Sequence, residues 1–131
     1  MVPNREHKKH KVFNVSYHIV WIPKYRRHIL NGPIEDSYKR HLFEKAAKLN
    51  ITIEAMEIMP DHIHLFIKAR PDITISDIVK HLKGYSSYAL RKEFTQLRRM
   101  KSLWTKSYYA ETIGLISEST IRKYIEMQKY R

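Results

Sequence analysis

The sequence contains no cysteine and no long apolar run. The absence of cysteine excludes a thiol nucleophile, a thiolate-ligated zinc site and a disulfide framework. No stretch is long and apolar enough to suggest a membrane-spanning helix, and the polar, basic N-terminus does not resemble a signal peptide. There is also no phosphate-binding loop of the G-x-x-x-x-G-K-[ST] type, so we expect a cytoplasmic protein without a nucleotide cofactor.

The charge of the chain is strongly one-signed. Lysine and arginine number 25 against 13 aspartates and glutamates, which gives a formal net charge of +12 over 131 residues. Such an excess indicates a polyanionic partner, with nucleic acid as the first candidate. A solubilising or heat-adapted charged surface is the alternative explanation. The length is that of one domain.

Hydrophobic periodicity predicts alternating strands and helices. A basic N-terminal arm (residues 1–11) precedes a single domain (residues 12–131). Pro60 and Asp61 form a tight turn between two of the strands. Gly84 falls within a predicted helix and suggests a kink there or a close approach by another backbone. The predicted elements are strand 12–21, helix 35–49, strands 51–58 and 62–69, a helix capped by Thr74 or Ser76 and ending near Phe94, strand 107–113 and helix 117–131.

The order of these elements matches the split βαβ arrangement of ferredoxin-like and RRM-like α+β folds. In that arrangement both helices cover one face of an antiparallel sheet. The aliphatic side chains of the first and third strands are expected to face the helices. The histidines of those strands are then expected on the open face, a reasonable platform for single-stranded nucleic acid.

Two histidines, His62 and His64, lie one residue apart in a predicted strand. Because side chains alternate between the two faces of a strand, both imidazoles share one face. The two residues are about 7 Å apart along the strand. At that spacing two imidazoles can bind one ion, with each nitrogen roughly 2.0–2.1 Å from it. The pattern alone is a weak signal for a metal site, because ordinary hydrogen-bonded histidines more often account for it.

Other side chains are candidates for function on weaker grounds. Tyr124 and Gln128 lie one turn apart on the same stripe of the terminal helix, although a tyrosine packed on the sheet fits equally. His18 lies on the polar side of the first strand, near a metal site or in a structural hydrogen bond. The candidates for DNA contact are basic residues and one tyrosine: Lys24, Tyr25, Arg26, Arg27, Lys80, Lys83, Arg91 and Lys92.

Several stretches together resemble the single-tyrosine HUH transposases of small insertion sequences, where HUH denotes His, a hydrophobic residue and His. The likeness runs from Tyr17 to Gln128, nearly the whole chain. The matching stretches are YHIVWIPKYRR (17–27), MPDHIHL (59–65), LKGYSS (82–87), LW (103–104), ETIG (111–114) and KYIEMQ (123–128).

The resemblance implies a function as well as a fold. It implies a homodimer that cleaves and rejoins single-stranded DNA at hairpin-marked element ends, with composite active sites and a nucleoid-associated location. Tyr124 corresponds to the nucleophile, and His62, His64 and Gln128 correspond to ligands of a divalent ion, Mg²⁺ or Mn²⁺. A DNA-binding module without chemistry, and a relative that processes genomic palindromes, are the alternatives.

Overall fold

The chain forms a four-stranded antiparallel sheet with two helices. The computed structural model describes residues 14–113. Its strands are arranged in the order β2-β3-β1-β4, which is the split βαβ topology and confirms the predicted α+β fold class. Within these residues no helix is long and apolar enough to cross a membrane. The elements are β1 (Val15–Trp21), α1 (Gly32–Lys48), β2 (Thr52–Met59), β3 (His62–Ala69), α2 (Ile75–Glu93) and β4 (Tyr109–Ile113).

Some predicted features fall outside the described residues. These are the N-terminal arm (1–11), the start of the first strand at Val12 and Phe13, and the terminal helix (117–131) with Tyr124 and Gln128. Strand β4 begins at Tyr109 rather than at Ser107.

The core lies between the helices and one face of the two interior strands, β1 and β3. Ile63, Leu65 and Ile67 of β3 are each 0% exposed and pack with Ile19 and Trp21 of β1. Each buried aliphatic side chain contributes about 1.5–3 kcal/mol by leaving water. The alternation of β3 therefore commits its aliphatic residues to the core and turns its histidines to the other face.

Strand β2 departs from strict alternation through a β-bulge. Ile53 pairs with Ile67 and Ala55 pairs with Phe66, so Glu54 is the extra residue. The bulge places Ile53 and Met56 against the same core although they are three positions apart, an offset that strict alternation would put on opposite faces. Further along, the turn at Pro60 and Asp61 joins β2 to β3 as predicted.

The helices differ from the predictions at the start of α1 and at Gly84, whereas the predicted cap of α2 at Thr74 is confirmed. Helix α1 begins at Gly32 rather than Glu35, because Pro33 favours the first turn and Gly32 adopts a φ of +58°. The predicted close approach at Gly84 is wrong for the described part of the chain. A Cβ built there meets no atom within 4 Å, and α2 continues through the residue unbroken.

Two basic side chains of α2 order the connection between α2 and β4. Lys83 Nζ donates to the carbonyl oxygens of Thr105 at 2.6 Å and Ser107 at 3.3 Å. The Arg91 guanidinium donates to the carbonyls of Met100 and Lys101. These bonds satisfy backbone carbonyls that no strand or helix partner reaches, and they fix the path by which the chain enters β4.

We predict that Thr74 alone caps helix α2, since its hydroxyl accepts the Asp77 N–H at 3.1 Å. Thr74→Ala should lower the free energy of unfolding by about 1 kcal/mol, as measured by urea denaturation. Ser76→Ala, at the other candidate cap, should change it by less than about 0.5 kcal/mol. A larger loss from Ser76→Ala than from Thr74→Ala would contradict this assignment.

Candidate active site

The two histidines of β3 lie side by side on the sheet face away from the helices. The ring centroids of His62 and His64 are 5.1 Å apart, with the ring planes at 81°. The side chain of His62, next to the β2–β3 turn, is 26% exposed, whereas His64 is only 8% exposed. The expectation of an open face is therefore wrong at His64, which is buried.

A chain of hydrogen-bonding side chains runs from His64 across three strands. His64 Nδ1 lies 3.0 Å from His18 Nε2, and His18 Nδ1 lies 3.1 Å from Glu111 Oε2. The register places these groups together, because β1 pairs with β3 on one side and His18 lies opposite Glu111 of β4 on the other. Glu111 of β4, His18 of β1 and His64 of β3 thus form one hydrogen-bonded line of side chains across the sheet.

The electrostatics of this line favour a neutral His64 and an ionised Glu111. Burial, with smaller contributions from the nearby His18 and His62, lowers the pKa of His64 to about 4. Hydrogen bonds from His18 and Tyr109 lower the pKa of Glu111, outweighing the effect of burial. At neutral pH His64 therefore carries a single ring proton, while Glu111 is an acceptor.

Aromatic neighbours enclose His18 and keep its ring in place. The Phe66 ring lies 4.6 Å from the His18 ring with the planes within 7°, and Tyr109 meets it edge-on at 6.1 Å. His18 is consequently 3% exposed. Because the ring is held by packing as well as by hydrogen bonds, its orientation relative to His64 is fixed.

His62 is oriented by the residue before it. His62 Nδ1 donates to Asp61 Oδ1 at 2.8 Å, and Arg26 Nη2 donates to Asp61 Oδ2 at 2.8 Å. Burial raises the pKa of Asp61, but the hydrogen bonds from His62 and Arg26 outweigh it and the net shift is downward. The ionised carboxylate thus joins the basic turn after β1 to the first histidine of the pair.

The pair fits the requirements of a shared metal ion. In both rings Nδ1 is engaged by a protein partner, so an ion shared by the two rings would be bound through their Nε2 atoms. Two imidazoles that bind one ion at roughly 2.0–2.1 Å, at bond angles near 90–110°, have centroids about 4.5–5.2 Å apart. The observed separation of 5.1 Å falls in that range.

The pair does not form a complete site by itself. Between residues 14 and 113 no group of three or more His, Asp or Glu side chains is placed to hold a metal ion. The predicted third ligand, Gln128, and the predicted nucleophile, Tyr124, lie outside the described residues.

The predicted DNA contacts divide into two groups. Residues 24–27 form an exposed basic turn, and Lys80 and Lys92 are exposed on α2. Lys83 and Arg91, in contrast, donate to backbone carbonyls of the α2–β4 connection. Lys83 and Arg91 therefore order the α2–β4 connection, and their predicted contacts with DNA stay predictions.

Two carboxylates with clear contacts at the site were not selected from the sequence. Asp61 was assigned only to a turn, although its position next to His62 was a signal for a partner of that ring. Glu111 had no such signal, because it is 93 residues away from His18 in the chain. Only the pairing of β1 with β4 brings them together.

Known proteins with similar sequences and structures identify the family. The family model described as "Transposase IS200 like" matches residues 11–128. The ISDra2 transposase TnpA of Deinococcus radiodurans is 38% identical over 120 residues, which cover 89% of this chain and 86% of that protein.

Two solved structures have a similar fold. A crystal structure of a protein from Deinococcus radiodurans R1, proposed to be a transposase, matches with a TM-score of 0.73 and 34% identity, covering 88% of this chain and 92% of that one. A REP-associated tyrosine transposase bound to a REP hairpin matches with a TM-score of 0.65 and 14% identity, covering 86% and 62%. From the family model and the identity to its relatives, the chain belongs to the family of IS200-like transposases.

Proposed function

We propose that this transposase is a metal-dependent enzyme that cleaves and rejoins single-stranded DNA through a 5′-phosphotyrosine at Tyr124. In this proposal His62, His64 and Gln128 hold a divalent ion, Mg²⁺ or Mn²⁺. The DNA substrate carries hairpins at the element ends, and the enzyme works as a homodimer with composite active sites. The observation that carries the proposal is the pair of imidazoles on β3, at 5.1 Å, with both Nδ1 atoms already engaged.

The hydrogen-bonded line through His18 favours the tautomer of His64 that can bind an ion. The ionised Glu111 accepts a hydrogen bond from His18 Nδ1–H. When the His18 ring carries only that proton, its Nε2 accepts the N–H of His64 Nδ1. The single proton of His64 is then on Nδ1, and its lone pair is on Nε2.

The same tautomer is favoured in His62 by a direct hydrogen bond to a carboxylate. Asp61 accepts the N–H of His62 Nδ1 at 2.8 Å, which leaves the Nε2 lone pair of this ring available as well. Two carboxylates on opposite sides of the pair, Asp61 and Glu111, thus favour the same tautomer in both rings. Paired neutral imidazoles of this kind suit a divalent ion with open coordination positions.

The chemistry follows from what a phenol can do to a phosphodiester. The Tyr124 oxygen attacks the scissile phosphorus and loses its proton, the bond from phosphorus to the 3′ oxygen breaks, and the leaving oxygen gains a proton to become a 3′ hydroxyl. A divalent ion, when bound, polarises and orients the phosphate. Attack by a 3′ hydroxyl on the phosphotyrosine reverses the step and rejoins a strand without a nucleotide cofactor.

The positive charge of the chain and its structural similarity to a hairpin-bound transposase support DNA as the partner. The net charge of +12 suits a polyanion, and the basic turn at 24–27 is joined to His62 through the Arg26–Asp61 ion pair. The REP-associated tyrosine transposase, which has a similar fold, was solved bound to a REP hairpin. We infer that hairpin DNA is also the partner of this chain, as an extension of that likeness.

Tyr124→Phe should abolish the covalent adduct while leaving DNA binding intact, because only the phenolic oxygen is removed. The measurement is a denaturing gel of the protein with labelled single-stranded oligonucleotides covering the DNA that flanks the gene, in Mn²⁺ or EDTA. Tyr88→Phe, which alters an exposed tyrosine of α2, is the matched control and should form the adduct normally.

Persistence of the adduct in Tyr124→Phe would assign the nucleophile elsewhere. Binding by the wild type with no adduct in any divalent metal, on every flanking sequence, would favour the DNA-binding module without chemistry.

Glu111→Ala should weaken Mn²⁺ binding to the DNA-free protein by about 10- to 100-fold, the usual effect of removing a partner behind a metal-bound histidine. Calorimetric titration measures the affinity, and ¹⁵N shifts of the imidazoles report which nitrogen is protonated. Glu54→Ala removes a β2 carboxylate paired with Lys68 and should leave the affinity unchanged. Equal Mn²⁺ affinity in Glu111→Ala and the wild type would refute the role of this line.

Arg27→Gln should reduce the salt dependence of single-stranded DNA binding by about 0.7 in the slope of log K against log salt, because it removes one phosphate contact. Lys83→Gln should leave that slope unchanged, since its ammonium group is occupied by carbonyls 105 and 107. Fluorescence anisotropy over a range of salt concentrations measures both slopes. The reverse pattern would assign Lys83 to DNA and Arg27 to solubility.

A further inference from the structure

The turn that follows β1 contains a backbone conformation that ordinary side chains rarely adopt. Tyr25 and Arg26 have φ values of 59° and 51°, in the left-handed region that favours glycine. Neither residue is glycine, and they are adjacent. Consecutive left-handed residues persist only where the surroundings fix them, and such positions concentrate at sites of function.

Contacts from three segments hold this turn in place. The Lys24 N–H donates to the Leu103 carbonyl at 2.9 Å, and the Arg26 N–H donates to the Pro23 carbonyl at 2.9 Å. The Arg26 guanidinium donates to Asp61 at 2.8 Å. The turn is therefore tied to the β2–β3 turn and to the α2–β4 connection, and it is a rigid feature of the fold.

The rigid turn presents an aromatic ring to solvent. Tyr25 is 76% exposed, which is the largest exposure among the large hydrophobic residues of the described chain. Lys24 Nζ lies 5.6 Å and Arg27 Cζ lies 5.8 Å from the ring centroid. Two cations on long, flexible side chains thus lie over the ring, where they add positive charge for the phosphates that flank a stacked base.

A basic cleft opens beside this ring. Its volume is about 790 Å³, and its walls include Lys24, Tyr25 and Arg27 on one side and Arg99 and Lys101 on the other. Among residues 14–113, none that lines the cleft is a carboxylate. A cleft of this size accommodates a ligand with a volume of several hundred Å³, and its positive charge favours an anionic ligand.

The turn and the histidine pair lie at the same end of the sheet. Strand β1 ends at Trp21, which pairs with Ile63, the residue between the two histidines. The same carboxylate, Asp61, accepts hydrogen bonds from Arg26 of the turn and from His62. A nucleotide held at the turn is therefore positioned by the residue that orients His62.

We propose that Tyr25 is a stacking platform for an unpaired base of single-stranded DNA, which it seats in the cleft next to the His62 site. Lys24, Arg27, Arg99 and Lys101 bind the flanking phosphates. This inference rests on the proposed function for its ligand. It adds a specific base-binding position that the net charge and the histidine pair do not require.

The test uses the full chain and a fluorescein-labelled single-stranded oligonucleotide of fifteen thymidines in EDTA. Tyr25→Asn removes the ring and keeps a residue that tolerates the left-handed conformation. It should weaken binding about 5- to 150-fold, the range expected from loss of one base stacked on an aromatic ring, with no change in the salt slope. Tyr25→Phe should bind as tightly as the wild type.

Tyr88 supplies the matched control. It is 65% exposed and has Lys92 5.7 Å from its ring, but it lies on a regular helix away from the cleft. Tyr88→Ala should bind like the wild type. Equal binding by Tyr25→Asn, or an equal loss in Tyr88→Ala, would overturn the proposal.

A measurement on the wild-type protein tests the proposal even if Tyr25→Asn does not fold. Photocrosslinking with an oligonucleotide that contains 5-iodouracil should attach DNA at Tyr25, as located by mass spectrometry, and crosslinks confined to other residues would refute the platform. Wild-type protein that does not bind single-stranded DNA would overturn this inference and the proposed function together. Normal adduct formation with unaltered binding in Tyr25→Asn would overturn the platform alone.

Discussion

The hydrogen bonds of β3 to strands on both sides determine most of this structure. An interior strand cannot rotate or shift its register without losing two ladders, so its alternation assigns each side chain to a face. Leu65 is thereby committed to the core, and His62 and His64 to the opposite face. The apolar packing under the sheet is what makes the separation of the two imidazoles a property of the fold.

Each histidine of the pair is linked by hydrogen bonds to a carboxylate, either directly or through His18. Asp61 holds one ring directly, and Glu111 acts on the other through His18. In the proposed arrangement the two carboxylates favour the tautomer with its proton on Nδ1, and neither carboxylate lies between the two rings. Asp61 also receives Arg26, so the turn that presents Tyr25 and the ring of His62 are held by one group.

Much of the fold was predictable because its core obeys simple periodicity. The alternation in β3, the turn at Pro60 and the helical spacing in α1 and α2 are local signals, and the predicted order of elements is confirmed from β1 to β4. The bulge at Glu54 was missed because an extra residue in one strand leaves no trace in a period-two pattern. The burial of His64 was also missed, since periodicity assigns a face but not what covers it.

The site was only partly predictable for the same reason. Two histidines in one strand are visible in the sequence, whereas the contact between His18 and Glu111 depends on a register between strands far apart in the chain. The roles of Lys83 and Arg91 in binding backbone carbonyls could not be distinguished from DNA binding, because composition shows charge and not its partner.

The proposed sharing of one divalent ion by His62 and His64 through their Nε2 atoms is tested most directly by anomalous diffraction from crystals grown with Mn²⁺, because the ion is located independently of the protein atoms. We expect a single anomalous peak within bonding distance of both Nε2 atoms, with each Nδ1 still bonded to its protein partner. A peak at only one ring, a peak at an Nδ1 atom, or occupied Mn²⁺ sites only elsewhere would contradict it.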